Sequence, residues 1–533
     1  MIIRTILLST FLISISYIFS QWDDNGIRNA KKIGEVYNYI DGMYVDSVNH
    51  ESISDAAIVA MLENLDPHST YIPADDVQSA NERIDGSFVG VGIRFQILKD
   101  TLLVVSCIPN GPSEKVGVMA GDKIIKVEDE VIAGIGLTNI GVRERLLGEK
   151  GTKVKIEVMR PKSNKPIDFV ITRDKIPVHS VPSAYMVDDK IGYIKLTNFS
   201  RTTADEVKKS IKSLKKEGME DLILDLQGNP GGLLYAAKHV ADEFLKDDKL
   251  IVYSEGRKQP KSVLIADSKG SFESGRLVVL IDEGSASASE IVAGAVQDWD
   301  RGLIVGRRSF GKGLVQRPLE LSDGSQIRLT IARYFTPCGR FIQKPYDDLV
   351  SYRKDYYERY MAGEMMNRDS IKLNDSLKYE TLINKRTVYG GGGIMPDTFV
   401  GLDTLEYSEF YRNLSRSGVI NTFPLNYVND NRDEILAKYE SFKVFKEKFE
   451  TDQSFMDEFF EFAVKEDSSL AFVSEDYDIS EDLIKTRLKA MVAQNIWDYS
   501  AFYQIINKKN EIFMRAYDIL SEDHYDKLNL TVN

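Results

Sequence analysis

The stretch RLVVLIDEGSASASEIVAGAVQDW, Arg276 to Trp299, decides the fold class. Its apolar run up to Ile281 reads as a strand, and a helical pattern starts near Ala288. The same alternation continues on either side. KIGYIKL, DLILDLQ and RGLIVG read as strands, TADEVKKSIKSLKKEG and LYAAKHVADEFL as helices, and GLVQRPLEL and SQIRLTIARYFT as further strands. Strand–helix alternation of this kind marks an α/β core, here over residues 176–404. A polar, Tyr-rich insertion at 345–388 interrupts it before YGGGGIMPD.

Flanking regions differ in texture. Residues 84–175 hold FVGVGIRFQI, TLLVVSCI and GTKVKIEVMRP, short strands with one or two helices, as in a compact β-rich module. Val154, Ile156 and Val158 give a period-two strand. Residues 21–83 read as helical, with Ile33, Val36, Tyr37, Ile40 and Tyr44 on one face and a second apolar set from Ile53 to Leu65. Residues 405–533 form a helical tail in which Leu483, Ile484, Leu488, Met491, Val492 and Ile496 line one face. The chain opens with Arg4 and an apolar run from Ile6 to Phe19. That run falls short of the roughly 20 residues a membrane crossing needs. Residues 1–20 therefore read as a secretory signal cut after Ser20, or as a retained anchor, and imply an exported, periplasmic protein. No cysteine stands at the cut, so a lipoprotein is not expected.

A chain of 533 residues implies several domains. A net charge of −13 argues against nucleic acid as a partner. Two cysteines, Cys107 and Cys338, do not make a disulfide framework or a metal site, and no H-E-x-x-H occurs. No metal or cofactor is expected.

Three serines alternate where strand meets helix: Ser285, Ser287 and Ser289. Ser287 opens S-x-x-E, a capping box with Glu290. A helix start also points backbone N–H groups outward, where the N–H of Ala288 would hold an oxyanion. The five histidines lie far off in sequence, so the base must be another group. Lys312, between Gly311 and Gly313, follows one helix and one strand later. A lysine serves as base when neutral, and burial favours that form. Gly306–Lys312 also fits the start of a P-loop, but Gly313 replaces the required Ser or Thr. Ser309-x-x-Lys312 mimics S-x-x-K, which needs a helix that the glycines oppose. LQGNPGGLL, Leu226 to Leu234, follows a strand, and Gly231 and Gly232 could bring N–H groups to a substrate carbonyl, or could simply make a turn.

Together LDPHSTY, FVGVGIRF, GPSEKVGVMAGDKIIKVED, GTKVKIEVMR, LDLQGNPGGLL, EGSASASEIVAGAVQD, SFGKGLVQ, GRFIQ and GGIMPD resemble, in order, the C-terminal processing peptidases, or tail-specific proteases. The resemblance implies a crotonase-like core with an inserted PDZ domain. It makes Ser287 the nucleophile, Lys312 the general base and Gln316 its positioning partner. It makes Gly231 or Gly232 and Ala288 the oxyanion hole, and Phe88, Val89, Gly90, Val91, Gly92 and Ile93 a carboxylate-binding loop for apolar protein C-termini. Asp298 matches an acidic residue assigned to a charge relay, but eleven helical residues set it on the order of 16 Å from Ser287, so it reads as structural. Gln227 stands where the family often has arginine. An adaptor protein and a homo-oligomer through the helical ends are further expectations. The rival readings are a catalytically silent PDZ scaffold and an acyl-CoA enzyme of the same fold class.

Overall fold

The computed structural model describes residues 24–161, 163, 165–246, 248–267, 269–470, 474–522 and 525; the apolar run Ile6–Phe19 and the cut after Ser20 lie outside them. Among the described residues no helix is long and apolar enough to cross a membrane. The described residues divide into two compact units, one within 24–73 and 318–329, the other within 74–317 and 330–525.

In the first unit, helices Asp24–Met43 and His50–Glu63 precede a short strand, Thr70–Ile72. That strand pairs antiparallel with Gln326–Arg328. The apolar face of the first helix is not buried: Ile33 and Val36 are each 51% exposed and Tyr44 is 61% exposed. The helical period is correct, but among the described residues that face is covered only in part, where Tyr37 meets His50.

The second unit is built on a six-stranded sheet. Its order is Ser183–Met186, Ile191–Lys195, Asp221–Asp225, Leu277–Ile281, Leu303–Gly306 and Thr398–Phe399. All neighbours are parallel except the first pair. Strands 191–195, 221–225, 277–281 and 303–306 are buried at every position. A parallel sheet needs both faces covered, and alternate side chains of one strand point to opposite faces. Leu222, Leu224 and Val279 accordingly pack with Val207, Ala237, Val240, Ile291 and Val292 from helices 203–216, 234–242 and 288–298. Ile223, Val278, Leu280 and Val305 pack instead with Ile512, Phe513, Ala516 and Ile519 of helix Glu511–Ser521. The last helix of the tail thus supplies the second cover of the core sheet.

The β-rich region forms a separate six-stranded antiparallel sheet between Ile93 and Thr172. Lys153–Met159 alternates as its sequence predicts, with Val154, Ile156 and Val158 buried among Leu102, Ile124 and Ile171. FVGVGIRFQI is split: Ser87–Gly90 pairs with Asp174–Pro177, while Ile93–Leu98 pairs with Thr101–Cys107 and forms a sheet edge. The 345–388 insertion holds helix Leu349–Met361 and a hairpin, Lys378–Glu380 with Thr387–Tyr389. The tail from Glu409 to Ile506 packs its own core around Phe423, Phe445, Phe459 and Leu488. Leu425 of that tail meets Leu98, Leu103 and Val105 of the β-rich sheet.

Candidate active site

The buried strand Leu277–Ile281 ends in a tight turn, with the Ser285 N–H donating to the Asp282 carbonyl at 3.0 Å. The three alternating serines then part company. The Ser285 hydroxyl donates to the Leu226 carbonyl at 2.8 Å, and that of Ser289 to the Asn229 carbonyl at 2.9 Å; both residues are 0% exposed. Their hydroxyls hold the 226–229 loop against the start of helix Ala288–Asp298. Ser287 is only half-buried, and its backbone sits at φ +54°, ψ −109°. A non-glycine residue in such a conformation costs on the order of 1–3 kcal/mol and persists only where its surroundings impose it.

Glu290 supplies part of that constraint. Fully buried, its carboxylate accepts from the N–H groups of Ser287 (2.8 Å), Gly311 (2.7 Å) and Lys312 (2.9 Å) and from the Ser309 hydroxyl (2.5 Å). Burial pushes this carboxyl above its usual range, while the four donors pull it back down. Tyr334 makes a second bridge. Its hydroxyl donates toward the carbonyls of both Ser287 (3.1 Å) and Lys312 (2.7 Å). Burial raises this phenol well above its ordinary value, so it stays a donor. Two buried side chains therefore tie the backbone of Ser287 to that of Lys312, although 25 residues separate them. The Lys312 Nζ donates to Gln316 Oε1 at 2.9 Å; Lys312 lies just before the strand Leu314–Glu320 that carries Gln316.

The glycine loop is equally close. A Cβ on Gly231 would stand 2.9 Å from both the Ala288 nitrogen and the Ser287 Cβ, and φ is +97° there, so only glycine fits. The Gly231 N–H is already given to Asn229 Oδ1 at 2.9 Å. The N–H groups of Gly232 and Ala288 have no acceptor among the described residues. Of the two glycines, Gly232 is thus the one able to join Ala288 in holding an oxyanion.

Asp298 is fully buried and pairs with Arg340, and it accepts from the Cys338 N–H at 2.9 Å. This network anchors the far end of the helix. At the arginine-to-glutamine position, the Gln227 N–H donates to Asp225, and Lys195 supplies the cation, donating to Asp225 Oδ1 at 2.9 Å and to the Gln227 carbonyl at 2.6 Å.

Phe88, Val89 and Gly90 lie in the short strand paired with Asp174–Pro177, and Ile93 opens the edge strand of the six-stranded β-rich sheet. Val91 is buried, its carbonyl accepting from the N–H and hydroxyl of Ser113 at 3.0 and 2.7 Å. Gly92, at φ +75°, turns the chain into the edge strand Ile93–Leu98. Sequence reasoning had Glu290 only as a cap and did not find Tyr334 or Asn229. The S-x-x-E spacing is a signal for the first; nothing local marks the other two.

The peptidase family S41 model matches residues 190–348, and a model described as a family of unknown function matches residues 410–498. The carboxy-terminal processing protease CtpA of Bacillus subtilis is 37% identical over 339 residues, 63% of this chain and 72% of that one. The carboxy-terminal-processing protease of Bartonella bacilliformis is 36% identical over 341 residues, 63% of this chain and 77% of that one. A solved PDZ domain of the carboxy-terminal protease from Vibrio cholerae, in complex with peptide, is 32% identical and covers 17% of this chain and 97% of that one, with a TM-score of 0.16.

Proposed function

The chain belongs to peptidase family S41, that of the carboxy-terminal processing proteases, and on that premise we propose that it is an exported serine endopeptidase with a Ser287–Lys312 dyad. The observation that carries the reading is the fate of the three serines. Ser285 and Ser289 spend their hydroxyls on backbone carbonyls, while Ser287 is strained, only half-buried and tied to Lys312 through Glu290 and Tyr334.

The neutral Lys312 amine, oriented by Gln316, accepts the Ser287 proton as Oγ attacks the substrate carbonyl carbon. The N–H groups of Ala288 and Gly232 hold the oxyanion. As the C–N bond breaks, the Lys312 ammonium returns the proton to the leaving amine; water, activated by the same lysine, then cleaves the ester. The core in this reading is crotonase-like, spanning 176–404. Residues 84–175 act as a PDZ domain in which Phe88–Ile93 hold the α-carboxylate of an apolar C-terminus and the peptide adds a strand to the open edge Ile93–Leu98. The signal at 1–20 would deliver the protein to the periplasm. The exposed apolar face of helix Asp24–Met43 suits a contact with a second copy or an adaptor.

The test is mass spectrometry on a peptide with a free apolar C-terminus and on its amide. The free acid should be cut at an internal bond. Amidation removes a charge-assisted contact worth roughly 1.5–3 kcal/mol, so the amide should be cut about 10- to 150-fold less efficiently. Binding of the free acid without any cleavage would leave only the silent scaffold.

A further inference from the structure

We propose that a groove beginning beside Lys312 selects substrates carrying acidic side chains within a few residues of the scissile bond. This deepens the protease reading and rests on it. The Tyr334 N–H donates to the Gly313 carbonyl at 2.9 Å, so residues 330–335 run alongside Lys312–Leu314. From there a row of rings leads outward. The Phe341 ring lies 3.2 Å from where a Gly313 Cβ would stand. Phe341 and Phe335 have centroids 5.4 Å apart, and Phe335 stacks on Tyr253 at 4.9 Å.

Two cations sit on this row: Arg333 at 5.3 Å from the Phe341 centroid and Lys261 at 4.0 Å from that of Tyr253. Cation–π contacts of this kind hold the charged heads in place without neutralising them. With Arg257, both cations border a groove of about 710 Å³, whose walls include Leu314, Phe335 and a single carboxylate, Glu255. Among the described residues none of the three cations has a carboxylate within 4.0 Å. Glu255 stands opposite Arg333 in strand register and is not paired with it either.

Three cations against one carboxylate leave this wall net basic, a local reversal of sign on a chain of net charge −13. A cleft of one sign concentrates ligands of the other. The ring row covers on the order of 10 Å, about three residues of extended peptide at roughly 3.3 Å each. A chain held at Ser287 and lying along residues 330–335 would therefore bring side chains a few residues from the cut bond to Arg333, Arg257 and Lys261. Their complement is Asp or Glu, with apolar surface between to meet Leu314 and Phe335.

The experiment uses peptides sharing one free apolar tail and differing only near the scissile bond, where they carry Asp, Asn or Lys. kcat/KM is measured for the wild type and for the triple variant Arg257→Gln/Lys261→Gln/Arg333→Gln, and affinity for the Ser287→Ala protein. Exposed ion pairs typically contribute about 0.2–1 kcal/mol each, so the Asp peptide should exceed the Asn peptide by roughly two- to fivefold at low salt, with Lys poorest. The ratio should shrink as salt rises and fall to about one in the triple variant. The salt dependence of the wild type stands even if the triple variant folds poorly. Equal kcat/KM for Asp and Asn peptides, both cleaved, would overturn the groove and leave the protease reading intact. Preferential binding of the Asp peptide by Ser287→Ala, with no cleavage by the wild type, would uphold the groove and sink the protease reading.

Discussion

Strands Leu277–Ile281 and Lys153–Met159 are both short and valine-rich, yet they live differently. The first is buried at every position; the second alternates between core and solvent. The first lies in a parallel sheet with helices on both faces, the second in an antiparallel sheet with one wet face. The consequence for function is a division of labour. A strand clamped on both faces ends at a fixed point, and the turn after it can hold Ser287 in a costly conformation. A sheet with an end strand, Ile93–Leu98, is where the proposed function would seat a peptide. The β-rich sheet departs from its pattern at Thr101–Cys107, where Leu102 and Val104 face its own core while Leu103 and Val105 meet Leu425 of the tail.

If the division holds, chemistry and recognition separate cleanly in one variant. Lys312→Arg keeps a charge that cannot be shed below a pH of about 12, so the base is lost. Cleavage should fall roughly 100- to 10,000-fold, the usual worth of a general base. Calorimetry with the free-acid peptide should show its affinity for the same variant unchanged, because the edge strand is on the other sheet. Loss of peptide binding together with turnover would break the comparison.

A smaller effect sharpens it. Leu280→Ala in the doubly covered strand should cost about 2–5 kcal/mol. Lys155→Ala, on the wet face of Lys153–Met159, should stay within about 0.5 kcal/mol, since its pair with Asp168 is exposed. Urea unfolding of the two variants measures the difference; comparable losses would mean that the wet face is covered in solution.

The sequence made the α/β alternation, the period-two strand at 154–158 and the motif residues legible, because each is written in local spacing. What it hid is long-range. Helix Glu511–Ser521 covers a sheet whose last strand ends at Phe399, and no period announces which sheet a helix will cover. Tyr334 reaches Ser287 from a strand 47 residues on, and its hydroxyl has no sequence signature. That the Gly231 N–H is already given to Asn229 could not be read from the sequence, because it depends on where one hydrogen points. For the helix at 24–43, the period was plain but its partner was not, and its apolar face stays exposed.

The most direct test of the central claim compares Ser285→Ala, Ser287→Ala and Ser289→Ala on one free-acid peptide, with thermal melts alongside. Ser287→Ala should lose on the order of 10⁴-fold or more in kcat with its Tm close to that of the wild type, since the backbone conformation is kept and only a half-buried hydroxyl is removed. Ser285→Ala and Ser289→Ala should each keep measurable turnover and melt lower, because a buried carbonyl loses its donor, at about 1–3 kcal/mol. Wild-type turnover by Ser287→Ala, or abolished turnover with an unchanged melt in either of the other two, would contradict the account.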